Sequence, residues 1–94
     1  MSLRLIVSME ATPGRINDLI EAYRIRCEEV RHESGCEQYE LYQSTERPNQ
    51  VVLLEQWSDE GALQDHIDLG KTKDSSATRS LRMGDTSIER YAMD

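Results

Sequence analysis

The fold of this chain follows from the stretch Val51-Val52-Leu53-Leu54-Glu55-Gln56-Trp57. Its length and its β-branched and aromatic residues predict a strand. A strand with one face in water alternates apolar and polar residues, but Val51 through Leu54 does not alternate, so both faces need cover. Helices can cover only one face of a small sheet, and a second copy of the chain would cover the other. The stretch therefore predicts a homodimer; the alternative is a monomer with one exposed apolar patch.

The residues before this strand predict a first strand, a helix and a second strand. Apolar residues alternate from Leu3 to Val7, as in a strand. Thr12-Pro13-Gly14 then starts a helix, because Thr is a fair N-cap and Pro suits the first helical position. Ser34-Gly35 ends the helix, and the second strand, from about Cys36 to Ser44, joins the third in a hairpin. The helix carries one apolar stripe: Ile16, Leu19, Ile20, Tyr23, Cys27 and Val30.

The residues after this strand predict a second helix and a last strand. Ser58-Asp59 is a plausible N-cap for a helix that carries Ala62 to Ile67. The polar segment from Lys71 to Arg82 fits a loop, a lid or an exposed helix, and a strand follows from about Thr86 to Met93. The order β-α-β-β-α-β, with an antiparallel sheet, is the ferredoxin-like arrangement of the α+β class. Since the length suffices for one domain, we expect residues 1–94 to form it.

Charge and composition exclude several classes of function. The net charge of −7 argues against binding to nucleic acid or to an anionic membrane surface. No apolar run is long enough to span a bilayer, and the start of the chain lacks a signal-peptide pattern. Without secretory context, Cys27 and Cys36 are expected to be free thiols in the cytoplasm. No His or Cys pair has a metal-ligand spacing and no phosphate loop or dinucleotide fingerprint appears, so we expect neither a metal nor another cofactor.

A second stretch carries a family resemblance. It reads Ser34-Gly35-Cys36-Glu37-Gln38-Tyr39-Glu40-Leu41-Tyr42 and is similar to the Pro-Gly-Cys-x-x-Tyr-x-Leu-Tyr stretch of antibiotic biosynthesis monooxygenase domains. Glu55-Gln56-Trp57 matches the Glu-x-Trp that ends an apolar strand in that family. Ala62-Leu63-Gln64-Asp65-His66 matches its Ala-Leu-x-x-His, and Pro13-Gly14 before the first helix is also typical. The resemblance runs from the first strand to about Ile67.

The resemblance implies a fold and a range of activities. Members are usually dimeric α+β barrels in which two sheets enclose a pocket under the helices. Many oxidise electron-rich phenols, hydroquinones or anthrones with molecular oxygen and without metal or flavin, whereas others degrade heme or act on small signalling molecules. The resemblance thus implies a cofactor-independent monooxygenase of a small aromatic or quinol-like molecule. Two alternatives stay open: an isomerase of a small carbonyl compound, and a module that binds a small molecule without turning it over.

Five residues are candidates for the site. His66 is the candidate catalytic residue, a general base suited by its ordinary pKa near neutrality, and the competing interpretation is a packed, hydrogen-bonded histidine. For substrate binding, Trp57 could form a pocket wall, although tryptophan mostly serves cores. Tyr39 and Tyr42 point to opposite faces of the second strand, so at most one lines a given pocket. Ser8 stands where several relatives carry a polar pocket residue, often Asn.

Charged and polar residues outside these five receive weaker interpretations. Arg79 and Arg82 lie in the polar segment and could reach an anionic ligand; the alternative is that both are solvated. His32 lies beside Glu33 at the end of the first helix, and we interpret it as a surface residue.

Overall fold

The computed structural model describes residues 1–93. Asp94, the last residue of the predicted domain 1–94, lies outside the described residues. Four antiparallel strands form one sheet in the order β2-β3-β1-β4. This is an α+β fold with ferredoxin-like topology, as the sequence predicts. The elements are β1 (Ser2–Glu10), α1 (Ile16–Val30), β2 (Cys36–Gln43), β3 (Gln50–Trp57), α2 (Glu60–Gly70), α3 (Ser76–Ser80) and β4 (Ser87–Met93).

The two faces of the sheet differ in what covers them. Along β3, burial alternates: Val51, Leu53, Glu55 and Trp57 are buried under the helices, and the residues between them are half-buried. The opposite face, here the open face, carries apolar side chains without helices over them. Ile6 of β1 pairs with Leu54 there, and Val52 lies two residues before Leu54 on β3. Each face of β3 thus carries apolar residues, and the second copy that would cover the open face stays a prediction.

Helix α1 buries the predicted stripe but is shorter than the sequence suggests. Four stripe residues are buried, while Ile16 and Ile20 are half-buried. The helix begins at Ile16 rather than at Pro13, because Gly14 lies at φ +79, a left-handed conformation that no α-helix continues through. It also ends at Val30, and a turn leads to Gly35 at φ +81. The buried residues of the stripe are Leu19, Tyr23, Cys27 and Val30.

The second half of the chain is anchored by local hydrogen bonds. Asp59 caps α2 as predicted, because its side chain accepts from the backbone N–H of Ala62 at 2.8 Å. The polar segment contains the short helix α3 and then returns to β1, where the Met83 N–H donates to the Glu10 carbonyl at 2.8 Å. Leu81 is its buried anchor. No helix within residues 1–93 is long and apolar enough to cross a membrane.

Candidate functional site

The ring of His66 is fixed by three contacts under the helices. It stacks on Trp57, with ring centroids 4.5 Å apart and planes inclined by 30°. It meets the ring of Tyr39 edge-on, with centroids 5.5 Å apart. Nδ1 lies 2.8 Å from Oε1 of Glu33. Since a carboxylate accepts hydrogen bonds, this contact assigns the proton to Nδ1 and leaves Nε2 as the acceptor.

A glycine brings these elements together. His66 lies on α2, whereas Glu33 lies in the turn after α1, 33 residues earlier. At Gly35 in that turn, an added Cβ would lie 2.4 Å from the Cβ of Ala62 on α2. The Gly35 carbonyl also accepts from the backbone N–H of Ser58 at 2.8 Å. The absent side chain therefore lets α2 approach the turn closely enough for the Glu33–His66 contact.

Glu55 is a buried acid beneath this cluster, and the sequence reasoning did not single it out. It is 6% exposed, and its Oε1 accepts the indole N–H of Trp57 at 3.0 Å. Burial raises the pKa of the Glu55 carboxyl, and the hydrogen bond from Trp57 and the positive charge of Arg26 oppose that shift. The signal in the sequence was an acid inside an otherwise apolar strand, in the Glu-x-Trp motif.

Glu55 should make the stability of the fold depend on pH. Its pKa is raised above the ordinary 4.5 in the folded state, so the folded protein holds a proton that the unfolded chain releases, and stability falls as pH rises from about 4.5 through the raised pKa. We expect Glu55→Gln to flatten this decline and to exceed wild type in stability at neutral pH, because glutamine keeps an acceptor for the indole N–H. Urea unfolding at several pH values measures the difference.

The matched control is Glu37→Gln. Hydrogen bonds from Gln56 and Ser2 lower the pKa of this exposed carboxyl, so its contribution is present above the ordinary pKa and is lost as pH falls. The Glu37 variant should therefore gain no stability at neutral pH. If Glu55→Gln and wild type keep the same stability difference from about pH 4 to pH 8, the raised pKa is refuted.

A cavity of about 420 Å³, here the helix-side cavity, adjoins the His66 cluster. Tyr39 belongs to both, since its ring contacts His66 and also lines the cavity. Burial raises the pKa of the Tyr39 and Tyr23 hydroxyls, so both are protonated hydrogen-bond donors at neutral pH. The full lining is Tyr23, Arg26, Glu29, Tyr39, Gly70, Lys73, Asp74, Ser75, Thr78 and Arg82.

The five predicted site residues lie on two sides of the sheet. His66, Trp57 and Tyr39 form one cluster on the helix-covered face. Tyr42 and Ser8 line a second cavity, of about 540 Å³, on the open face. Although this second cavity is larger, the helix-side cavity is the better candidate, because the clustered titratable groups adjoin it.

The remaining candidates also have defined positions. Arg79 and His32 are exposed, whereas Arg82 is half-buried in the wall of the helix-side cavity. Cys27 is a buried free thiol whose pKa burial raises, and Cys36 is half-buried. Within residues 1–93, no group of three or more His, Cys, Asp or Glu side chains is arranged to hold a metal ion.

Several solved structures share this fold over nearly their whole length. A protein from Deinococcus radiodurans, assigned to the antibiotic biosynthesis monooxygenases, is 22% identical, with a TM-score of 0.87 over 98% of this chain and 92% of that one. A conserved protein from Methanosarcina mazei is 25% identical, with a TM-score of 0.82 over 100% and 94%. A protein from Pseudomonas aeruginosa is 27% identical, with a TM-score of 0.81 over 98% and 93%.

The family assignment rests on the sequence itself. No curated protein matches the chain. The family model described as antibiotic biosynthesis monooxygenase matches residues 2–75, which includes β1 to α2 and therefore the whole His66 cluster. The match reaches beyond Ile67, where the resemblance seen in the motifs ends. The chain belongs to the antibiotic biosynthesis monooxygenase family.

Proposed function

We propose that this chain is a cofactor-independent monooxygenase of a small aromatic or quinol-like molecule, with His66 as general base. The observation that carries the proposal is the fixed imidazole, whose Nδ1 is bonded to Glu33 and whose ring is held against Trp57. A carboxylate on one ring nitrogen fixes the tautomer and the orientation of the ring, so that the other nitrogen is held as an acceptor. Family membership supports the reaction class.

In this mechanism Nε2 of His66 takes the proton of a substrate hydroxyl and leaves an electron-rich anion. The anion passes one electron to molecular oxygen, and the resulting substrate radical and superoxide combine to form a carbon–oxygen bond. The peroxide anion formed in this way takes the proton back from Nε2 of His66, which restores the base. Loss of water from the peroxide then gives the oxidised product, so one oxygen atom enters the product and the other leaves as water. The protonated Tyr39 hydroxyl would donate to the substrate anion.

The proposal gives Trp57 and Tyr39 different tasks. Trp57 is fully buried, so it supports the ring of His66 and does not itself contact substrate. Tyr39 separates His66 from the helix-side cavity, which puts the proposed base one side chain away from the ligand. Proton transfer therefore requires the Tyr39 ring to turn aside or a water molecule to relay the proton.

The lining of the helix-side cavity favours a second candidate function. Two of its residues are aromatic, Tyr23 and Tyr39, and most of the others are charged or carry hydroxyl groups. Such walls suit a small carbonyl compound, which needs hydrogen-bond donors more than flat apolar surfaces. In that case His66 would move a proton within the substrate, as an isomerase requires, and oxygen would not be consumed.

Oxygen consumption by the purified protein separates these functions. We expect protein-dependent uptake with some members of a panel of hydroquinones, anthrones and catechols. Substrate turnover under nitrogen would support the isomerase instead. Ligand binding without turnover in either atmosphere would leave a binding module on the same fold.

We also propose that the open face forms a homodimer. Ile6, Val52 and Leu54 place half-buried apolar side chains there, beside the exposed ring of Tyr42. Light scattering at micromolar concentration should give twice the chain mass, and Val52→Glu should give a monomer, because it buries an unpaired charge in the interface. Ile25→Glu, at an exposed position of α1, is the control. A wild-type monomer under these conditions refutes the dimer.

A further inference from the structure

Arg82 lies in the wall of the helix-side cavity and carries an unsatisfied donor. Its Nε atom is buried and has no hydrogen-bond partner among residues 1–93. A guanidinium group carries five N–H donors and no acceptor, so it depends on partners for each of them. Buried donors are rarely left unpaired, so the orphaned Nε indicates that the chain does not fully satisfy this group. Nε itself is sealed from solvent, and a ligand in the cavity would therefore meet the terminal N–H groups of Arg82.

The other charges of the cavity do not supply that partner. Arg26 lines the same cavity, and within the described residues neither arginine takes part in an ion pair. The acids beside them are engaged elsewhere: Glu29 pairs with Lys73 at 3.6 Å, and Asp74 accepts from the Ser76 backbone at 2.9 Å. The lining carries three basic residues and two acidic ones, which gives the cavity a net charge of +1 in a protein of net charge −7.

The tyrosine hydroxyls of the cavity are hydrogen-bond donors, like the two arginines. Tyr23 and Tyr39 are held protonated by burial and can donate, and the charge of Arg82 acts on Tyr23 directly. Guanidinium and hydroxyl donors together match the oxygens of an anionic group, and arginine binds carboxylate and phosphate through paired hydrogen bonds. A neutral phenol offers these donors one weak acceptor oxygen, whereas an anionic group offers two or three charged oxygens.

We infer that the helix-side cavity binds a ligand through a permanent anionic oxygen group, a carboxylate or a phosphate, held by Arg82 and Arg26. This inference rests on the proposed function only in taking that ligand to be the substrate. It narrows the substrate class from quinol-like molecules in general to those that carry an acidic substituent. The negative net charge of the protein repels an anionic ligand at long range, so its affinity depends on the contacts inside the cavity.

Calorimetric titration under nitrogen tests the inference without turnover. The probes are benzoate, phenyl phosphate and benzamide, the last being a neutral analogue of benzoate with nearly the same shape. We expect at least one anion to bind wild type and benzamide to bind on the order of tenfold more weakly, and Arg82→Gln to weaken the anion by on the order of tenfold to a hundredfold. Arg79→Gln, which removes an exposed arginine of α3, should change nothing.

The outcomes are separable from those of the proposed function. Binding of benzoate but not of phenyl phosphate indicates a carboxylate site. Binding of phenyl phosphate but not of benzoate indicates a phosphate site. Equal binding of benzamide and benzoate, no anion binding, or equal affinities in the Arg82 and Arg79 variants overturns the inference. If Arg82→Gln does not fold, two measurements still test the inference. One is the affinity of Arg82→Lys for the anion, and the other is the comparison of benzoate with benzamide in the wild-type protein.

The His66→Ala variant separates the two proposals. It should keep anion binding, since His66 is not among the lining residues. If the wild-type protein binds an anion but takes up no oxygen with any substrate, the oxygenase is refuted and the anion site stands. If Arg82→Gln takes up oxygen at the wild-type rate with a hydroquinone that carries a carboxylate, at a concentration below saturation, the anion site alone is refuted.

Discussion

Gly35→Ala is expected to destabilise the fold by about 2–5 kcal/mol. Gly35 lies at φ +81, where an L-residue pays a steric cost of about 1–2 kcal/mol. Its added Cβ would also lie 2.4 Å from Cβ of Ala62 and 2.8 Å from Oγ of Ser58, so α2 or the turn has to move. Domains of this kind have a total stability of about 5–15 kcal/mol, so the loss is a large fraction of it.

Gly14→Ala isolates the backbone contribution. Gly14 has nearly the same conformation, at φ +79, but nothing lies within 4 Å of its added Cβ. This variant should therefore lose only about 1–2 kcal/mol in urea unfolding. If the two variants lose the same free energy, the close approach of α2 to the turn contributes nothing to stability, and Gly35 is there for its backbone alone.

His66→Ala is expected to lower the rate of oxygen uptake on the order of 10²–10⁴-fold, the range that a positioned general base contributes. The variant removes the proton acceptor and leaves Glu33 and the Trp57 ring without their partner. His66→Gln is the sharper variant, because an amide N–H can still donate to Glu33 while the side chain can no longer take a proton. Oxygen-electrode rates at saturating substrate measure both.

His32→Ala is the matched control for the loss of a histidine. His32 is exposed in the turn after α1, and the contacts of the His66 ring are made by Glu33, Trp57 and Tyr39, so the His32 variant should keep the wild-type rate. Uptake that is unchanged in both His66 variants would keep the reaction class and discard His66 as the base. A loss in His66→Ala that His66→Gln restores would assign a structural task to the histidine.

Local patterns in the sequence predict most of the fold. The stripe from Ile16 to Val30 predicts α1, because a helix repeats every 3.6 residues and its buried side can be read directly from spacing. The run from Val51 to Leu54 similarly predicts a strand with apolar residues on both faces. The start of α1 was placed too early, since Thr12 and Pro13 favour a helix start locally while Gly14 adopts a conformation that interrupts it.

The site was less predictable because its partners are distant in sequence. His66 and Trp57 were singled out by family motifs, but the Glu33–His66 contact spans 33 residues and depends on how α2 packs. The approach of Arg26 to Arg82 depends on a cavity formed by α1, β2 and the polar segment together. Spacing along the chain does not encode such contacts, because no local period connects residues on different elements.

The stacking of Trp57 on His66 gives the protein an optical reporter of its own site. The chain has one tryptophan, and its indole is the ring against which the imidazole lies. Selectively excited indole emission therefore comes entirely from this cluster and is not averaged over other positions. The fluorescence of the unlabelled protein therefore reports on the packing of this cluster and on any ligand that displaces the imidazole ring.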